Sequence, residues 1–362
     1  MSYAFRELLR RVGSGTHTNE NLTRQEAKQA THMMLLQEAT PAQIGAFMIA
    51  HRIRRPTGEE LAGMLDAYDA LSPKLQPIAA AYPVMVFCNP YDGRSRTAPL
   101  TPLTALILAA AGCPSIQHGS DRMPTKEGDP LSDFWQGLGV DWTQLSLNQV
   151  QQILETTGVG FFYQPNHFPL AQGLVTFRDQ IGKRPPLATM ELMWNPYTGE
   201  SHLVSGFVHP PTEEMFKTAH ALRGVTHFTT VKGLEGSCDL PRERTGIIGL
   251  GQPDGTQASG FGFDRLLLHP NDYGFEGKNP TLDSTIQVIE AMKAVFTGQP
   301  SELLQSALWN GGFYLWRAGV CESIEAGIVE SDRLLTQGAV LQKLQQIQQV
   351  AGVRQLTHKA TH

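Results

Sequence analysis

The spacing of apolar residues divides the chain into two regimes. In residues 1–75 they recur at helical intervals; Leu61, Met64, Leu65, Tyr68 and Leu71 fall on one helical face. The pattern predicts a helix over 24–38 and a second beginning at Thr40-Pro41-Ala42-Gln43. There Thr40 caps, Pro41 suits the first helical position and Gln43 completes a capping box. A third begins at Thr57-Gly58-Glu59-Glu60, another capping box. These helices are amphipathic, so they must cover one another or another layer.

From Tyr82 onward the period changes. Short apolar runs over 84–88, 160–163, 203–208, 226–231 and 246–250 read as buried strands. Helical stretches over 102–111, 146–156, 213–222 and 285–296 separate several of them, and the last 60 residues read as helical again. Strands alternating with helices imply an α/β fold with a mainly parallel sheet covered on both faces. The expected division is a small helical domain, 1–75 with a contribution from 145–200, and a larger α/β domain over 80–145 and 200–362.

Composition narrows the class. Hydrophobic residues make up 41% of the 362 positions and charged residues 17%, enough apolar material for a large core. A net charge of −5 gives no general reason to expect a polyanion partner. The four cysteines, Cys88, Cys113, Cys238 and Cys321, show no CxxC or Cys/His metal spacing, which reads as reduced thiols in a cytoplasmic protein. The longest apolar run, 103–112, is too short to span a bilayer, and the N-terminus carries no signal-peptide core.

The stretch richest in chemistry is Val84-Met85-Val86-Phe87-Cys88-Asn89-Pro90-Tyr91-Asp92-Gly93-Arg94-Ser95-Arg96-Thr97. A strand running through a polar turn into a helix is where α/β proteins bind phosphate, because free N–H groups and the helix dipole point at the loop. The hydroxyls of Ser95, Thr97 and Thr101 and the guanidinium groups of Arg94 and Arg96 suit an anion. Pro90 offers no N–H, and Tyr91 stands where glycine would let the backbone close on a phosphate. A plain β–α connection is the alternative. Trp135, Trp142 and Trp194 read as core or interdomain packing, and Arg52, Arg54 and Arg55 as a basic helix terminus.

Five blocks in order carry a resemblance. They are Gln43-Ile44-Gly45-Ala46-Phe47-Met48-Ile49-Ala50-His51-Arg52 with Thr57-Gly58-Glu59-Glu60-Leu61; Ala109-Ala110-Ala111-Gly112 with Gln117-His118-Gly119; Phe177-Arg178 with Gly182-Lys183-Arg184 and Asn195-Pro196; Ala307-Leu308-Trp309-Asn310-Gly311-Gly312; and Ser323-Ile324-Glu325-Ala326-Gly327. With these blocks the chain resembles the anthranilate phosphoribosyltransferase family, glycosyltransferase family 3, which also has nucleoside phosphorylase relatives. The resemblance implies an active site between a helical and an α/β domain, and usually a homodimer formed through the helical domain. Phosphoribosyl pyrophosphate would bind with Mg²⁺ on the α/β side, and an aromatic amine such as anthranilate would enter from the helical side, as in tryptophan biosynthesis.

Carried residue by residue, the resemblance places the donor's phosphates at Asp92, Gly93, Ser95, Thr97, Thr101 and Lys126, and the acceptor at His118, Ser120 and Arg178. The metal would fall to Glu235 and Asp239. No catalytic acid or base is assigned. The family's Gly-Thr-Gly-Gly-Asp-Gly loop reads Cys88-Asn89-Pro90-Tyr91-Asp92-Gly93, and its Asp-Glu metal pair reads Glu235-Gly236. Leu192 replaces the proline of a Gly-Pro step. Read without the resemblance, Glu235 and Asp239 are solvated loop acids, His118 a structural histidine and Lys126 a solvated side chain beside Glu127. Changes of this kind mark a divergent second branch in bacteria, some members of which are thought to bind nucleic acid. The alternative expectation is therefore a non-catalytic paralogue that binds nucleic acid through Arg6, Arg10, Arg11, Arg52, Arg54 and Arg55.

Overall fold

The computed structural model describes residues 2–15 and 17–352. Four helices open the chain: α1 Tyr3–Gly13, α2 Arg24–Leu35, α3 Pro41–Arg54 and α4 Gly58–Leu71. Thr23 with Glu26, Thr40 with Gln43 and Thr57 with Glu60 form reciprocal capping boxes, so three of the four N-termini satisfy their free N–H groups locally. Their apolar faces meet in a core that includes Phe5, Phe47, Leu61 and Tyr68. The same core takes in Phe168, Phe177, Trp194 and Phe216 from later in the chain.

A second core surrounds a seven-stranded sheet. Its strands are β1 Val84–Cys88, β2 Ser115–Gly119, β3 Val159–Tyr163, β4 Ser201–Gly206, β5 Phe228–Val231, β6 Gly246–Pro253 and β7 Phe261–Leu268. The spatial order is β3-β2-β1-β4-β5-β6-β7. The first five are parallel, with Val86 opposite Ile116 on one side and Leu203 on the other. The last two are antiparallel. The run 246–250, read as a buried strand, is the first arm of a hairpin. The helix α5, Thr101–Ala110, is apolar all round, and Leu103, Leu106, Ile107 and Leu108 are each fully buried. Each such side chain stabilises the fold by about 1.5–3 kcal/mol.

β1 is the middle of the five parallel strands, and the chain leaves it toward β2 and β3 on one side and later adds β4 and β5 on the other. The strand order reverses between β1 and β4, so a crevice opens beyond their carboxyl ends. The loop after β1, residues 89–100, occupies that crevice. Bridges Arg94 to Asp129 and Thr97 to Thr281 fix it from two sides. Gly93 is required there: its φ is +70°, and a Cβ would lie 2.5 Å from the carbonyl oxygen of Gly128. Among the described residues no helix is long and apolar enough to cross a membrane.

Candidate active site

The loop after β1 turns its amides inward onto a carboxylate of the chain itself. The N–H groups of Arg96 and Thr97 each donate to Glu235 Oε1 at 3.0 Å, and that of Ser95 donates to Oε2 at 3.3 Å. The hydroxyls of Ser95 and Thr97 donate to the same carboxylate, both at 3.0 Å. Lys126 Nζ stands 3.4 Å away, Arg94 Nε 3.6 Å and Arg96 Nε 3.7 Å. Successive N–H groups converging on one anion form a nest. Burial alone would raise the Glu235 carboxyl, but Arg94, the N–H groups of Arg96 and Thr97, and Lys126 outweigh it and hold it far below the usual carboxylate range.

Asp239 lies beside this nest, wholly buried. It accepts from Arg94 Nη1 at 2.6 Å, from the Leu100 N–H at 3.0 Å and from Thr101 Oγ at 2.8 Å. The hydroxyl of Thr101, expected on the donor's phosphates, therefore fixes Asp239. Arg94 also donates to Ser237 Oγ at 2.7 Å and to Thr97 Oγ at 2.5 Å. One guanidinium thus ties the β1 loop to the turn 234–239. Neither acid is a freely solvated loop group.

Asp92 and Arg178, expected on opposite substrates, pair with each other. Asp92 also binds Arg184, whose side chain remains half-exposed. His118 is fully enclosed rather than open to a cleft. It lies on the buried strand β2, and Tyr91 OH meets its Nδ1 at 2.7 Å. Burial keeps the Tyr91 phenol protonated and pushes His118 down to about 3, so Tyr91 donates and His118 accepts as a neutral imidazole. Trp194 packs edge-on against the same ring, with centroids 5.4 Å apart. Ser120 donates to Gln172 at 3.2 Å, and Lys126 donates to the Gly93 carbonyl at 3.3 Å.

Two residues that sequence reasoning passed over belong to this cluster. Arg184 stands out in the sequence only by its spacing from Arg178. Glu191 is 5% exposed, its Oε2 has no hydrogen-bond partner, and it faces the charges of Arg178, Asp92 and Arg184. Burial pushes its carboxyl up to about 8. The available signal was a lone acid inside the apolar run Met190-Glu191-Leu192-Met193-Trp194. Beside Gln172, the partner of Ser120, lies an open cavity of about 700 Å³, lined in part by Arg122, Met123, Pro124, Gln172 and Thr176.

Three of the six basic residues named at the helical end, Arg10, Arg11 and Arg54, pair with acids. Arg10 pairs with Glu7, Arg11 with Glu20 and Glu26, and Arg54, its side chain 7% exposed, with Glu60.

Two family models match this architecture. One, a glycosyl transferase family helical bundle domain, covers residues 6–72; the other, a glycosyl transferase family a/b domain, covers residues 93–341. The chain belongs to this glycosyl transferase family. Among similar proteins, the anthranilate phosphoribosyltransferase of Chromobacterium violaceum is 25% identical over 86% of this chain and 88% of its own. An uncharacterized protein of Aquifex aeolicus is 28% identical over 85% of this chain and 92% of its own. Among solved structures, anthranilate phosphoribosyltransferase from Saccharomyces cerevisiae in complex with PRPP and Mg superposes with a TM-score of 0.80 at 14% identity, covering 97% of this chain and 99% of that one. The enzyme from Thermus thermophilus gives 0.75 at 18% identity, covering 97% and 100%. The fold is therefore that of the family throughout both cores.

Proposed function

We propose that this glycosyl transferase moves a phosphoribosyl group from phosphoribosyl pyrophosphate to an aromatic amine such as anthranilate. The observation that carries the reading is the nest of Ser95, Arg96 and Thr97, already closed on an anion, with Lys126 and Arg94 beside it. It lies at the carboxyl end of β1, beside the switch point of the sheet, and a relative of this fold from Saccharomyces cerevisiae has been solved in complex with PRPP and Mg. Transfer of this kind needs positioning and charge stabilisation more than an acid or base. Donors fixed in a loop pinned by the bridges of Arg94 and Thr97 supply both. Ser95, Thr97, Gly93 and Lys126 are the donor-phosphate group in this reading, and Asp92 sets the position of Arg178. Ser120 and Arg178 are the acceptor-side residues in this reading, with His118 enclosed behind Tyr91 and Trp194 as their support, and the acceptor enters through the cavity beside Arg122 and Gln172.

Magnesium is the implied metal, and the residues fit it in part. Glu235 is an ionised carboxylate of the type Mg²⁺ takes alongside phosphate oxygens. Asp239 does not fit, since Arg94, Leu100 and Thr101 use its oxygens. Among the described residues no group of three or more His, Cys, Asp and Glu could hold a metal without the donor. Ser95, Arg96 and Thr97 take up the oxygens of Glu235, so Glu235 would hold the ion together with the donor's oxygens only once released from the nest, and the ion would neutralise charge on the leaving pyrophosphate.

The reading extends to a homodimer formed through the helical domain, the domain division 1–75 with 145–200 against 80–145 with 200–362, and a cytoplasmic location. The test is anthranilate consumption by fluorescence with phosphoribosyl pyrophosphate and Mg²⁺, alongside Arg178→Ala. Turnover, with a raised acceptor KM in Arg178→Ala, supports it. No turnover at millimolar donor contradicts it.

A further inference from the structure

We infer that Glu235 is a built-in occupant of the anion nest, so that a phosphate or pyrophosphate group enters by exchange with the chain's own carboxylate. The inference deepens the donor-site reading and rests on it for the identity of the natural ligand. The exchange itself follows from the nest.

Three arguments converge. The first is the match of groups. Three consecutive N–H donors, two hydroxyls and the ammonium of Lys126 surround a carboxylate that has only two oxygens. A terminal phosphate offers three oxygens and more charge to the same donors. The second is charge. Lys126, Arg94 and Arg96 all face Glu235; Arg94 also pairs with Asp239, and Lys126 also feels the charge of Asp92. With Glu235 withdrawn, Arg96 would face the nest unneutralised and Lys126 only partly neutralised, and a more highly charged anion restores the balance.

The third is backbone strain. Among the described residues five non-glycine positions have positive φ, and three of them are here: Glu235 at 52°, and Thr125 at 83° and Glu127 at 54° on either side of Lys126. Side chains rarely adopt this region, and strain of this kind collects at ligand clamps. Both the carboxylate and the ammonium that meets it are held in strained turns. Gly236, with φ of 80°, adjoins Glu235, so the turn carries a residue that tolerates rearrangement. Release of Glu235 relieves one strained residue and leaves the sheet untouched.

The experiment is metal-free calorimetry with inorganic pyrophosphate, and separately with phosphoribosyl pyrophosphate, on wild type, Glu235→Ala and Glu235→Gln. Removing the internal competitor should tighten pyrophosphate binding at least tenfold in both variants. Hydrogen exchange on wild type is the companion measurement and needs no variant to fold. Pyrophosphate should speed exchange at 234–237 while 95–97 stay protected. Equal or weaker binding in the variants, or unchanged exchange at 234–237, overturns the inference. The sugar-bearing ligand assigns the source: binding alongside pyrophosphate identifies the donor, and binding of pyrophosphate alone identifies a free anion. A protein that shows the exchange but no anthranilate turnover would retain this inference and lose the transferase reading, so the two fail separately.

Discussion

Arg94 donates to Asp239 at 2.6 Å across 145 positions of sequence, and both side chains are almost completely buried. The pair joins the loop after β1 to the turn after β5. Removing one member of a buried pair leaves the other uncompensated, at a cost of about 3–5 kcal/mol. Arg94→Ala should therefore lower stability by about that amount in urea unfolding. Asp239→Asn should lose less, because Glu235 and Ser237 still face Arg94. A wild-type midpoint in Arg94→Ala would show that the pair does not hold the loop.

His118 should remain neutral throughout the physiological range. Its folded value of about 3 follows from complete burial, and Tyr91 donates to its Nδ1. In an NMR titration from pH 5 to 8 its ring resonances should stay flat. A midpoint near the ordinary 6.5 would mean that solvent or a substrate channel reaches the ring.

Much of this architecture is legible in the sequence, and the reasons for the gaps are physical. The strand Val84–Cys88 and the helix Thr285–Phe296 fall where periodicity puts them, and the two capping boxes read at Thr40 and Thr57 mark helix starts correctly. β2 is not legible. Its residues Ser115, Gln117 and His118 are polar yet buried, and Gln117 is satisfied by Trp135 Nε1 at 2.9 Å and the Thr101 carbonyl at 3.2 Å. Hydropathy cannot show a hydrogen bond supplied from another element. β7 is missed because Asp264 and Arg265 interrupt its apolar run. At the site, residue types point to an anion loop, but its occupant comes from 140 positions away in Glu235. Asp92 and Arg178 meet across 86 positions. Such pairings depend on which loops the strand order brings together.

Glu60 should govern acid stability of the helical core. Burial would raise its carboxyl, but hydrogen bonding and charge from His51, with the N–H groups of Leu22 and Thr57, hold it down at about 2. The unfolded value is 4.5, so the folded chain binds fewer protons between the two values. Stability should fall as pH drops from about 4.5 to 2. Glu60→Gln should flatten that limb in pH-dependent urea unfolding and lower neutral-pH stability by about 3–5 kcal/mol, because Arg54 loses its buried partner. An unchanged acid limb would contradict this assignment.

Glu191 should act with the opposite sign. Its folded value of about 8 lies above the unfolded 4.5, so the folded chain keeps an extra proton between them. Stability should decline as pH rises through that window and level off above 8. Glu191→Gln mimics the protonated acid and should be more stable than wild type at pH 9. If the variant shows the same decline as wild type, the proton resides elsewhere.

Donor binding tests the central claim most directly. Calorimetric titration of the full chain with phosphoribosyl pyrophosphate and Mg²⁺ should give saturable binding at one site per chain. Ser95→Ala combined with Thr97→Ala should weaken it at least tenfold, since both hydroxyls leave the nest. Absence of binding at millimolar donor, or binding indifferent to that double change, would contradict a donor site at the end of β1.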